Sequence, residues 1–196
     1  MKKLHPLLVA SLLAVGLSTG AQAQSTPTRS ASQAATANAR DAVPEADRDF
    51  MKKAAEAGHA EVQAARLALS KTSNAQVKKF AQMLVDDHTK ANAQLEQIAS
   101  AKGVKLPTEP SLMHKSKLQL MKMADGKDFD ERFTEDMGVD AHRETIEMFR
   151  EEIANGRDPQ VKAFAQQALP KLERHLEMAQ QLRTQLERRE SEGAKR

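Results

Sequence analysis

The chain has 196 residues, with 30 Lys and Arg against 27 Asp and Glu, six His, six Phe, and no Cys, Trp or Tyr. That length allows one domain with a real core. The missing cysteines exclude a disulfide framework and a lipid-modified cysteine, and interspersed charge without Trp or Tyr disfavours a nucleic-acid partner.

Residues 1–23 predict a secretory signal peptide. Lys2 and Lys3 give a positive head, an apolar stretch runs from Leu7 to Leu17, and Ala21-Gln22-Ala23 offers a cleavage point after Ala23. The stretch is too short and interrupted for a membrane anchor, and no second apolar run of membrane length follows. A soluble mature chain in the periplasm or the medium is therefore expected, without a transmembrane segment. Loss of Lys2 and Lys3 lowers the net charge from +3 to +1. Residues 24–43, QSTPTRSASQAATANARDAV, are small and polar and read as a disordered linker.

From residue 44 to residue 190 the composition shifts to strong helix formers without strand-type alternation, so an all-α domain is expected. Four long helices are predicted at about 45–72, 74–102, 128–155 and 158–190. Ser73 to Gln76 has the form of a capping box, and Lys102-Gly103 a stop. Asp128 and Glu131 would open the third helix, Asn155-Gly156 would close it, and Asp158-Pro159 would begin the fourth. Very short links make helices one and two, and three and four, antiparallel hairpins. Between them, residues 103–127 contain the helix-breaking LPTEP and then SLMHKSKLQLMKM, a short crossover helix. The fold expected is an antiparallel four-helix bundle of two hairpins joined by that crossover. QVKxFAQ occurs at 76–82 and again at 160–166, at the start of the second helix of each hairpin, as in an internal duplication. Residues 191–196 are expected to fray as a mixed-charge tail.

Following the 3-4 spacing, each long helix carries one titratable residue in an apolar stripe near its middle: Glu61, His88, His142 and His175. In an antiparallel bundle these fall at similar heights and can meet. FAQMLVDDHTKAN, FDERF, DAHRETIEMF and DPQVKAFAQQALPKLERHLEMAQQL, with the leader, resemble the bacterial exported family called domain of unknown function 4142 over about residues 47–183. The resemblance implies a ferritin-like bundle with a crossover and an exported address; the family has no settled activity to lend.

A ferritin-like fold raises a di-iron centre, which needs Glu-x-x-His on two helices. Three residues before the histidines stand Val85, Val139 and Leu172, so a di-iron centre is disfavoured. A mononuclear divalent metal, zinc or iron, bound by Glu61, His88, His142 and His175 fits the residue types. The competing reading is a hydrogen-bonded His/Glu polar layer that fixes helix register in a non-enzymatic protein, whose surface serves an envelope or stress-related partner or a second copy. Met113, His114, Met121 and Met123 gather soft donors for copper(I), though methionine is also a core filler. Pro170 should kink the fourth helix before His175, and no nucleophile elbow or phosphate loop is present.

Overall fold

The computed structural model describes residues 43–193. The expected signal peptide, the expected linker except Val43, and residues 194–196 lie outside the described residues. Among the described residues the fold is all-α. The elements are α1 (Glu45–Lys71), α2 (Ala75–Ala101), α3 (Leu112–Met123), α4 (Gly126–Arg132), a π-helical segment (Phe133–Asp140), α5 (Ala141–Asn155) and α6 (Pro159–Gly193). Helix α1 pairs with α2 and α5 with α6, while α4, the π segment and α5 together form the third long rod. The result is the expected bundle of two hairpins, with α3 in the crossover.

Local chemistry sets the ends. At the close of α2, Gly103 takes φ 67, and the amides of Val104 and Gly103 bond the carbonyls of Ala99 and Ser100. That reversal satisfies carbonyls left free at a helix end and favours glycine. Asp158 caps α6, accepting from the amides of Gln160 (3.0 Å) and Val161 (3.2 Å), and pairs with Lys102 at 2.8 Å. Asp47, buried in the first turn of α1, accepts from the amides of Arg157 and Asp158. One cluster thus ties the start of α1 and the end of α2 to the turn between α5 and α6.

Four boundary expectations need correction. Asn74, not Ser73, caps α2, its side chain accepting from the amide of Gln76 at 2.9 Å. The third rod begins at Gly126 rather than Asp128, where φ 56 and Asp125 ahead of it mark the reversal out of α3. That rod is not a continuous α-helix, because Phe133–Asp140 is π-helical. Helix α6 runs to Gly193, past the expected onset of fraying, and takes Pro170 inside it. Pro170 removes one amide, which costs the helix a bond without ending it.

The core lies in two apolar halves. One contains Phe80, Leu84, Phe129, Phe133, Met137, Val139, Ala179 and Leu182. The other contains Phe50, Met51, Leu95, Ile146, Phe149, Val161, Phe164 and Leu172. Both copies of QVKxFAQ bury their Val, their Phe and the Ala that follows the Phe in this core. Between the halves sits a polar layer.

Candidate metal centre

The layer consists of Glu61 from α1, His88 from α2, His142 from α5 and His175 from α6, all buried. The three imidazole rings form a near-equilateral triangle, with centroids 5.5, 5.2 and 5.3 Å apart. One ring nitrogen from each histidine lies within 4.8 Å of the others.

Two local devices bring these side chains together. Phe133 and His142 are nine residues apart, two and a half turns of α-helix, which would put them on opposite faces. The wider π turns take up the excess, so both point into the core. Close approach by glycine is the second device. A Cβ on Gly138 would stand 2.8 Å from the Cβ of Ala179, and one on Gly58 would stand 2.1 Å from Asn92 Oδ1. Gly58 and Asn92 lie about one turn from Glu61 and His88, and Ala179 one turn from His175, so both contacts flank the layer.

The protons of the three rings are committed outward. His88 Nδ1 donates to Glu61 Oε2 at 2.8 Å, since a carboxylate can only accept. His142 Nδ1 donates to the carbonyl of Met137 at 2.8 Å, and His175 Nε2 donates to Asp87 Oδ2 at 3.1 Å. A neutral imidazole has one N–H, so the remaining nitrogens, His88 Nε2, His142 Nε2 and His175 Nδ1, carry lone pairs. Of these, His142 Nε2 and His175 Nδ1 face each other at 3.3 Å. His88 Nε2 has no hydrogen-bond partner, and neither does Glu61 Oε1, which lies 3.7 Å from His142 Nδ1. Each such buried orphan costs about 1–3 kcal/mol.

Burial disfavours a charge on the His142 and His175 rings. Burial pushes the His142 imidazole down from its ordinary value, His88 adds to the shift, and Glu61 opposes it. Burial, with His88 and His142 nearby, takes His175 down to about 4 against the pull of Asp87. Burial alone would raise the Glu61 carboxyl; positive charge on His88, His142 or His175, together with the hydrogen bond from His88, lowers it to about 2. Two neutral rings with lone pairs facing each other need a proton or a cation between them.

A small cavity of about 40 Å³ borders the layer, lined by Glu61, Asp87, His88, Lys171, His175 and apolar side chains including Phe149 and Phe164. It has room for a water or two. Three imidazole nitrogens beside an open position suit a single ion. The 3.3 Å spacing matches the edge of a tetrahedron with metal–nitrogen bonds of about 2.0–2.1 Å. The di-iron pattern finds no support, because Val139 and Leu172 are buried in the apolar halves and Val85 packs against one of them.

All four residues expected from the sequence meet in the layer, but Glu61 stands behind His88, on the Nδ1 side. Asp87, next to His88 in the chain, is not among the residues expected from the apolar stripes. Its side chain reaches from the flank of α2 to His175 and to Lys171, 3.0 Å away. In the crossover, Met121 is buried in the core, whereas Met113 and Met123 are 68% and 81% exposed; the four soft donors named from the sequence do not form one cluster.

The model of the family described as Domain of unknown function (DUF4142) matches residues 30–182. No curated protein matches the chain. Among solved structures, the chain is similar to a DUF305 protein from Streptomyces coelicolor described as secreted. The two are 12% identical with a TM-score of 0.63, over 72% of this chain and 92% of that one. At that identity the likeness shows the fold alone.

Proposed function

The chain belongs to the DUF4142 family, and we propose that it is an exported, non-enzymatic metal-binding protein that holds one first-row transition-metal ion between α2, α5 and α6. The ligands are His88 Nε2, His142 Nε2 and His175 Nδ1. Glu61, the Met137 carbonyl and Asp87 hold the outer nitrogens, which orients each ring and raises its basicity as a ligand. The observation that carries this reading is the pair of lone-pair nitrogens of His142 and His175 at 3.3 Å. Imidazole suits zinc, iron and copper. The bordering cavity of about 40 Å³ admits water rather than an organic substrate, which favours binding over catalysis.

Thermal melting tests the reading. Zinc at 100 times its dissociation constant stabilises a native state by about 2.7 kcal/mol, a rise of about 5–10 °C for a chain of this size. Elemental analysis should give one ion per chain, lost in each of His88→Gln, His142→Gln and His175→Gln. Unchanged melting with zinc, iron and copper would leave the layer as a register-fixing polar core and sink the metal reading.

Residues 1–23 are read as a signal peptide cleaved after Ala23, and the protein as periplasmic or secreted. The Lys2-Lys3 head, the apolar Leu7–Leu17 stretch and Ala21-Gln22-Ala23 support this. No helix among the described residues is long and apolar enough to cross a membrane. Mass spectrometry of the exported protein should find Gln24 at the N-terminus; an intact Met1 would overturn it.

A further inference from the structure

A second concavity, a groove of about 350 Å³, opens between α1, α3, the π segment and α5. Its lining includes three thioethers, Met113, Met137 and Met148, together with His114, Glu56 and Glu144. Glu61 lines it too, and so belongs both to the groove and to the histidine layer. That carboxylate is buried, and its Oε1 has no hydrogen-bond partner.

We propose that this groove is a binding site for copper(I), from which the ion enters the buried histidine layer past Glu61. Thioether sulfur selects copper(I) over zinc and iron, which prefer harder donors. Met113 is 68% exposed, on a helix that buries Leu118 and Met121 instead, so its thioether is not needed for packing and is free to turn toward an ion. Met148 is half-buried on α5. His114 Nδ1 lies 3.1 Å from Ser111 Oγ, and with Nδ1 donating there Nε2 is left as a ligand. Glu56, Glu61 and Glu144 against Lys53 leave the groove lining net negative, which attracts a cation. The three imidazoles beyond accept copper as readily as zinc, so one soft outer site would decide which ion is delivered. The delivery step rests on the metal-binding reading above; the groove site does not.

The experiment uses the mature protein with its histidine layer first filled with zinc, then given one equivalent of copper(I) kept reduced by ascorbate. Copper-edge X-ray absorption should show sulfur neighbours, and the Met113→Leu/Met148→Leu variant should lose them. In metal-free protein the same variant should take up copper(I) at least ten times more slowly, with zinc uptake and the apo melting temperature unchanged. Copper surrounded by nitrogen and oxygen alone, or equal copper(I) uptake by the variant and wild type, would overturn the proposal. Failure of the other reading looks different: wild type would bind no zinc, while copper(I) would still show sulfur neighbours.

Discussion

Gly138 of the π segment lies against Ala179 of α6 so closely that a Cβ at position 138 would stand 2.8 Å from the Cβ of Ala179 and 3.2 Å from the ring of Phe80. Neither neighbour can swing aside, because one is fixed to its backbone and the other is buried. Gly138→Ala is therefore expected to force the rods apart, at about 1–3 kcal/mol. At position 58 the neighbour is the far end of the Asn92 side chain, which can rotate away. Gly58→Ala should cost less than half as much. Melting of both variants checks this; an unshifted Gly138→Ala midpoint would show that the rods have slack there.

Asp87 accepts from His175 Nε2 and from Lys171. Removing its charge takes away the carboxylate that orients His175, while the half-buried position leaves the core intact. Asp87→Asn should weaken zinc binding by about 10–100-fold, typical for such a supporting partner, with a melting temperature close to wild type in the absence of metal. Competition against a zinc chelator measures it, and an unchanged affinity would remove Asp87 from the site.

Much of this was legible in residue spacing, and the parts that were not have identifiable causes. Asn155, Gly156, Asp158 and Pro159 have end-forming chemistry of their own, so the turn between α5 and α6 could be placed to the residue. The inward direction of Glu61, His88, His142 and His175 followed from period 3.6, which tolerates small errors near the middle of a helix. The π segment broke that period. Along the third rod Met137 follows Phe133 by four residues but Val139 follows Met137 by two, an interval that fits neither three nor four, and this was its one trace in the sequence. Asp87 was missed because periodicity gives the direction of a Cα–Cβ bond and not the reach of the side chain beyond it. Which nitrogen of each histidine carries the proton depends on Met137, Asp87 and Glu61 in three different elements, so no local pattern records it.

His142 and His175 give stability an acid arm. Their folded pKa values lie below the ordinary 6.5, with His175 at about 4. As pH falls through 6.5 the unfolded chain takes up protons that the folded chain refuses, so stability present above 6.5 is lost toward pH 4. The apo melting temperature should fall over that window, and less so in His175→Gln. With zinc bound the fall should be steeper, since protons compete for the ligand nitrogens. A midpoint independent of pH between 6.5 and 4 in the wild type would refute this account.

Glu152 supplies an arm of opposite sign. It is buried beside the turn between α5 and α6, where a Cβ on Gly156 would lie 2.2 Å from its Oε1, and that oxygen has no hydrogen-bond partner. Burial, reinforced by the charges of Asp47 and Asp158 and opposed by Lys162, pushes its carboxyl from 4.5 up to about 7. A raised acid binds its proton more tightly in the folded state, so the stability it contributes is present below pH 4.5 and is lost as pH rises to about 7. Glu152→Gln keeps the shape and removes the charge. Its melting temperature relative to wild type should therefore climb between pH 4.5 and 7 and level off above 7, where wild-type Glu152 is ionised in both states. Parallel melting curves for the two proteins across that range would mean that Glu152 titrates alike folded and unfolded, and that the clamp formed by Asp47 and Asp158 carries no strain from a third carboxylate.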